Sequence, residues 1–300
     1  MTDTTTPLGT MAARGPSVLW NDSSDPKELA ESISYGAVGA TCNPVIALAA
    51  IRADLPRWSA RIKELAVEMP EASESEIGWK VVEEVSLEAA KLLEPAFEKY
   101  QGINGRLSMQ TDPRLMRSAK KLADQAAYFS SLAKNIIVKI PATKVGLEAI
   151  EEATYRGVVM NVTVSFTVAQ VVRSGEAIER GLQRRVAEGK SIEDMWPVVT
   201  LMVGRLDDWM KAEAERTQLF IDPGHMEWAG VAAIKKAYQI FQERGFRSRV
   251  LSAAFRNVLQ YSELIGGDLV VSPPFKWAKR INNSDYVAES RIDVPVDPTI

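Results

Sequence analysis

Lys139 is the residue in this chain best placed to do covalent chemistry. It lies in Asn135-Ile136-Ile137-Val138-Lys139-Ile140-Pro141-Ala142-Thr143, a short apolar, β-branched run. That composition predicts a strand buried on both faces. Strand side chains alternate, so Ile137 and Lys139 share one face while Val138 and Ile140 share the other. Burying an ammonium is costly, and its pKa falls. A lysine that is partly neutral near pH 7 can attack a carbonyl and form an imine. The alternative is a lysine whose stem packs at the strand end while its amine escapes to solvent.

Other polar residues stand at comparable places in other apolar runs. The first run ends in Asn21-Asp22-Ser23-Ser24-Asp25, the second in Thr41-Cys42-Asn43-Pro44. The third carries Ser108 and Gln110 at i, i+2, and the fifth carries Asn161 and Thr163 at the same spacing. The sixth has Thr200, then Gly204-Arg205, and the seventh leads into Ala254-Phe255-Arg256-Asn257. A carboxylate such as Asp22 can take a proton from a substrate hydroxyl. Asparagines bind hydroxyls without charge. Arg205 and Arg256 can together hold an anionic tail, or each can make a surface salt bridge instead. Imine, base, hydroxyl binders and anion clamp describe a class I aldol mechanism on a sugar phosphate.

Such a constellation needs a scaffold that brings many strand ends together. Eight apolar runs qualify as strands, at 17–22, 38–43, 105–110, 135–140, 158–163, 198–203, 249–253 and 268–272. Each leads to a helical pattern or a turn before one, which implies right-handed crossovers and a parallel sheet. Eight units in about 250 residues is the count of a closed (β/α)8 barrel, whose chemistry sits at the C-terminal strand ends. Asp25-Pro26 caps a helix over 27–34, and Asp112-Pro113 starts one running to about Leu132. Between 77 and 100, Trp79, Val82, Val85, Ala89, Leu92, Leu93 and Phe97 recur at helical spacing. Residues 44–104 exceed one crossover and are expected to hold extra helices after the second strand. The expected organisation is a loose tail over 1–16, one α/β barrel domain over 17–280 and an extended tail over 281–300.

Composition narrows the function classes. The 300 residues are 46% hydrophobic and 25% charged, as in an ordinary globular protein. A net charge of −3 with no basic run argues against nucleic-acid and membrane-surface partners. No apolar stretch is long enough to span a bilayer, and no cationic segment followed by an apolar core marks a signal peptide. The single cysteine, Cys42, rules out an internal disulfide and suits a reducing cytoplasm. The single histidine, His225, excludes zinc sites built on several histidines, and its turn context suggests a surface or helix-capping role. With no glycine-rich phosphate loop near the seventh or eighth strand, a pyridoxal phosphate enzyme is not expected. The expectation is no metal and no cofactor.

The motifs resemble those of the transaldolase family, including its fructose-6-phosphate aldolase branch, over about residues 17–275. Val138-Lys139-Ile140-Pro141-Ala142-Thr143 resembles the segment holding the Schiff-base lysine. Thr41-Cys42-Asn43-Pro44, Asn161-Val162-Thr163 and Ala253-Ala254-Phe255-Arg256-Asn257 resemble the family's Thr-Thr-Asn-Pro, Asn-x-Thr and Ala-Ser-Phe-Arg-Asn. Val203-Gly204-Arg205, followed by Asp207 or Asp208 and then Trp209, resembles its phosphate-binding sixth strand. The resemblance implies that Lys139 forms the imine and that Asp22 deprotonates the hydroxyl whose proton loss drives C–C cleavage. It implies that Asn43 and Asn161 hold the dihydroxyacetone hydroxyls and that Arg205 and Arg256 bind phosphate. Thr163 and the strand-three residue would hold a proton-shuttling water. Thr200 and Ser252 complete the candidate substrate contacts.

Three positions depart from the family pattern. Gln110 stands where transaldolases have glutamate, and glutamine can hold a water but cannot trade a proton with it. The aldolase branch has glutamine there. Met202 replaces an aromatic residue, so the aldolase's proton-donating phenol is absent as well. Ala254 replaces the phosphate-binding serine, and Ser252, two residues earlier, would face the same way if the strand continued. The reading is therefore a cytoplasmic transaldolase-like enzyme acting on a small sugar or sugar phosphate. An aldolase with another anionic or unphosphorylated substrate, and a non-catalytic sugar-phosphate binding barrel, stay open. So does a homodimer.

Overall fold

The computed structural model describes residues 3–300. Eight strands form one all-parallel sheet: β1 (Val18–Leu19), β2 (Gly39–Cys42), β3 (Arg106–Gln110), β4 (Ile136–Pro141), β5 (Met160–Thr163), β6 (Val198–Leu201), β7 (Arg249–Ala253) and β8 (Val270–Ser272). Their order is β1-β8-β7-β6-β5-β4-β3-β2, and a parallel bridge between Asn21 and Ala40 joins the two ends. This is the expected (β/α)8 barrel. The strands are buried on both faces, as in a sheet covered by helices outside and filled by side chains inside.

The helices start where local chemistry allows. Asp25 caps α2 (Pro26–Ser34) by accepting from the Lys27 and Glu28 amides, with proline at the first helical position. The long connection after β2 holds α3 (Pro44–Ala53), α4 (Leu55–Glu68) and α5 (Glu74–Lys99), so the expected insertion is helical throughout. Ser73 and Glu76 cap α5 reciprocally. Two boundaries differ from the sequence reading. Asp112-Pro113 begins only a 3₁₀ turn, Pro113–Leu115, and Ser118 caps α6 (Ala119–Leu132) afresh. The sixth strand stops at Leu201, and Val203-Gly204-Arg205 is already the first turn of α9 (Val203–Arg216).

The remaining elements alternate with the strands: α7 (Lys144–Tyr155), α8 (Val168–Ala187), α10 (Pro223–Met226), α11 (Ala229–Arg244), α12 (Leu259–Ser262) and α13 (Phe275–Asn282). No described helix is long and apolar enough to cross a membrane.

Residues 7–14 form helix α1 (Pro7–Arg14), where the composition suggested a loose tail. Thr6 caps it, and Leu8 and Met11, one turn apart, are fully buried. The Leu8 amide donates to Asn282 Oδ1 (3.1 Å), and Tyr261 donates its hydroxyl to the Pro7 carbonyl (3.0 Å). Thr and Pro here are cap and first helical residue, not signs of disorder. At the other end, Arg291 and Ile292 donate their amides to the Ile265 carbonyl at 2.8 and 3.1 Å. Lys235, partly buried and paired with Glu263, donates to the carbonyls of Arg291 and Val294. The extended C-terminal segment is thereby held against the barrel.

Two glycines separate steric need from accident. Gly105, just before β3, has φ +81°, and a Cβ there would lie 1.9 Å from the Phe97 nitrogen. Gly78 lies within α5 with nothing within 4 Å of its would-be Cβ. Gly105→Ala should cost more than about 2 kcal/mol, whereas Gly78→Ala should stabilise by about 0.5–1 kcal/mol. Urea denaturation of both variants checks the pair.

Candidate active site

Register brings the polar residues together. Gln110 pairs with Lys139, and Lys139 with Asn161, so the three side chains share the inward face at the C-terminal ends of β3, β4 and β5. Thr41 pairs with Ser108 across β2 and β3, on the same face. Lys139 is only 7% exposed. Burial pulls its ammonium below the usual lysine pKa, opposed in part by the charge of Asp22. Desolvation wins, so the amine is biased toward the neutral form a nucleophile needs.

The neighbours of Lys139 are held in fixed orientations. Asp22 accepts a short hydrogen bond from the Thr41 hydroxyl. Asn161 is fully buried and tied at both ends of its amide. Its Nδ2 donates to Ser108 Oγ (2.9 Å), and its Oδ1 accepts from Thr200 Oγ1 (2.8 Å). Thr200 therefore orients Asn161 instead of presenting a free hydroxyl. Thr163 is buried on the inward face, and Gln110 is partly exposed at the mouth. Asn43 spends its Oδ1 capping α3, accepting from the Val45 and Ile46 amides at 2.9 Å each. Its amide N–H groups are the ones left to bind a hydroxyl. Sequence reasoning left Thr41 and Ser108 without roles, although both are polar residues on the inward parity. Cys42 faces outward, and burial pushes its thiol pKa up.

The anion side is arranged differently from the sequence reading. Ser252 points away from the barrel interior, because its neighbours Leu251 and Ala253 hold the inward parity. It is fully buried and donates to the Gln260 carbonyl (3.1 Å), so it does not stand in for the family's serine. Ala254 adopts φ +63°, which turns the chain sharply after β7. Arg256 is committed to Asp208: Nε and Nη2 donate to its carboxylate at 2.8–3.1 Å, and Nη1 donates to the Ala254 and Phe255 carbonyls. Arg205 is largely exposed and stands 3.8 Å from the same carboxylate. Arg205 and Asp208, with Phe166, Leu206 and Trp209, line a groove of about 510 Å³ beside the mouth. Neither Asp22 nor Lys139 lines it. Behind the arginines lies a buried carboxylate, Asp207, which burial pushes up to about 6. His225 is in α10, outside this cluster.

The register thus places a buried lysine on the inward strand face with a doubly anchored asparagine beside it. The family description "Transaldolase/Fructose-6-phosphate aldolase" fits residues 19–295. The chain belongs to this family. Curated relatives named transaldolase support it. That of Parafrankia sp. (strain EAN1pec) is 28% identical over 257 residues, covering 79% of this chain and 65% of the relative. That of Prochlorococcus marinus (strain MIT 9312) is 29% identical, covering 85% and 71%. That of Mycobacterium tuberculosis (strain ATCC 25618 / H37Rv) is 28% identical, covering 93% and 73%. The chain thus spans about two thirds of the length of the first of these relatives.

The Asn161 anchorage carries a test. Thr200→Val keeps the shape of the side chain and leaves Asn161 Oδ1 without its donor. An unsatisfied buried acceptor costs about 1–3 kcal/mol. Chemical denaturation should show a loss of that size, whereas Thr217→Val on the exposed end of α9 should change stability by less than about 1 kcal/mol.

Proposed function

We propose that this chain is a class I, Schiff-base transaldolase or aldolase acting on a ketose. The reading rests on one observation above the others. Lys139 is buried on the inward face of β4, in register between Gln110 and Asn161. A cation is expensive there unless its neutral form has a use.

In this reading the Lys139 amine adds to the ketose carbonyl, and the carbinolamine loses water to give an imine. Gln110 and Thr163 hold that water. Asp22, oriented by Thr41, takes the proton from the hydroxyl on the far carbon of the bond to be cleaved, which becomes the aldehyde carbon of the leaving aldose. The C–C bond breaks, an aldose leaves, and the electron pair enters the imine as an enamine. Asn43 and Asn161 hold the hydroxyls of the dihydroxyacetone unit. A transaldolase then adds the enamine to an acceptor aldehyde, and an aldolase hydrolyses it. Glutamine at position 110 favours the aldolase partition as the second reading, because an amide cannot supply the proton a carboxylic acid would. In either reading Arg205 and Arg256 receive an anionic tail. A sugar or sugar phosphate is the partner, no metal or cofactor is called for, and a buried, unpaired Cys42 suits a cytoplasmic setting. The barrel with its C-terminal segment acts as one catalytic unit.

Borohydride reduction tests the reading. Wild type incubated with fructose 6-phosphate or dihydroxyacetone should gain a stable adduct by intact mass, and Lys139→Met should gain none. An adduct that survives in Lys139→Met would remove the assignment. Asp22→Asn should still trap the imine while turnover falls by about 10²-fold or more. A loss below about threefold would place the base elsewhere.

The pH dependence has a defined sign. Only the neutral amine attacks, so trapping rises with pH. Because burial lowers the Lys139 pKa, the rise should level off at lower pH than for a surface lysine, whose pKa is about 10.4. A trapping profile still climbing at that value would contradict the buried amine.

A further inference from the structure

Arg205 sits in the first turn of α9, and Arg256 sits in the loop after β7. Strand register does not by itself set their spacing, because both lie beyond the last sheet hydrogen bonds. Asp207, two residues along α9 from Arg205, supplies the link. It is fully buried, and its Oδ1 accepts the Gly230 amide at 2.7 Å. Its Oδ2 accepts from Gln260 Nε2 in a short bond and from Asn257 Nδ2 at 3.3 Å. Gln260, also fully buried, accepts the Arg256 backbone amide on its Oε1 at 2.6 Å. The Gln260 carbonyl accepts from Ser252 at the end of β7.

This chain of bonds has one permitted direction. An ionised carboxylate only accepts, and a backbone amide only donates. The Gln260 side chain between them must turn its NH₂ to Asp207 and its oxygen to Arg256. The same orientation leaves no buried donor facing another donor. We infer that Asp207 is a positioning residue for the anion subsite: through the Gln260 amide it pins the Arg256 backbone, and so sets the distance between Arg256 and Arg205. The inference rests on the reading of these arginines as the anion-binding pair.

Asp207→Asn tests the polarity with almost no change of shape. The new amide can accept from Gly230 but then points its NH₂ at the Gln260 NH₂. Flipping Gln260 relieves that clash and creates another, with the Arg256 amide. The expected result is a KM for fructose 6-phosphate raised about 10-fold or more, the scale of a lost charge-assisted contact, with kcat retained. Borohydride trapping of the neutral ketose dihydroxyacetone should stay within about twofold of wild type, since its proposed contacts lie on β3–β5 and at Asn43 after β2, away from Asp207. Adding Gln260→Glu to Asp207→Asn restores an acceptor between two donors at unchanged net charge. That double variant should recover most of the affinity for fructose 6-phosphate.

Three outcomes would overturn the inference. One is an unchanged KM in Asp207→Asn. Another is an equal loss for charged and neutral ketoses, and the third is a double variant no better than the single one. Arg256→Ala separates failure of the parent reading. If it leaves the fructose 6-phosphate KM unchanged, the arginines do not bind the anion and the positioning role falls with them. If it raises that KM while Asp207→Asn does not, only the inference about Asp207 fails.

Discussion

The burial of one amine constrains the rest of this barrel. Lys139 lies where a protonated side chain is poorly solvated, and the surrounding sheet leaves it little room to escape. The strand that carries it is apolar on both sides, and Ile137, Val138 and Ile140 are fully buried around it. A single desolvated cation could unbalance a domain whose net stability is only about 5–15 kcal/mol. Two features lower the cost. Its pKa falls, so the neutral form becomes accessible, and Asp22 offers a compensating charge across the mouth. The same two features are those an imine-forming site requires. In the proposed reading the destabilising element and the chemically useful one are a single group, which is the usual form of a stability cost at a functional site.

Polar groups around the amine are organised to be rigid, not merely soluble. Asn161 uses both ends of its amide, on Ser108 of β3 across the barrel interior and on Thr200 of the adjacent β6. Thr41 fixes Asp22 from the neighbouring strand. Each bond crosses between strands, so the orientation of a reactive or binding group is referred to the sheet and not to a loop. Fully satisfied buried networks of this kind specify one arrangement, whereas a half-satisfied one would be worse than an apolar core. The loops that follow carry the irregular backbone. Val164 after β5 and Ala254 after β7 both have positive φ without being glycine, at 54° and 63°. Such conformations cost about 1–3 kcal/mol and persist only where their surroundings over-determine them.

What the sequence made legible follows from period. Alternation in the strands was enough to place Lys139, Gln110, Asn161 and Thr163 on one face, and eight strand–helix units were enough for the barrel. Where regular structure ends, period says nothing. Val203-Gly204-Arg205 continues the apolar character of β6, yet Gly204 and Arg205 already lie in α9, because the chain must turn there to admit the β7 loop. A Cβ on Gly204 would lie 2.0 Å from the Ala254 carbonyl oxygen, so that close approach fixes the turn. Ser252 follows the outward parity of β7, and the expected shared face with Ala254 is lost because Ala254 turns the chain instead of extending the strand. Helix α1 was hidden because cap residues and linker residues are the same residue types. Asp207 and Asp208 are adjacent and chemically identical, and only the helix sends one inward to Gln260 and the other outward to Arg256.

The outward member of that pair explains how two arginines can stand near one another. Asp208 lies between Arg205 and Arg256 and engages the second through two nitrogens. Arg256 and Asp208 are 33% and 42% exposed, so water screens their attraction. A pair in such surroundings is worth about 1 kcal/mol or less. That is enough to keep the guanidinium in its rotamer and too little to exclude a dianion, which offers more charge and more acceptor oxygens. An arriving anion can draw on Arg205, which is mostly exposed, and on the remaining donor of Arg256 Nη2. Deeper in, Asp207 is shielded from water, and in the proposed reading it holds the Arg256 backbone during such an exchange. Rigidity therefore sits in the buried carboxylate and exchange in the exposed one, a division set by solvent access.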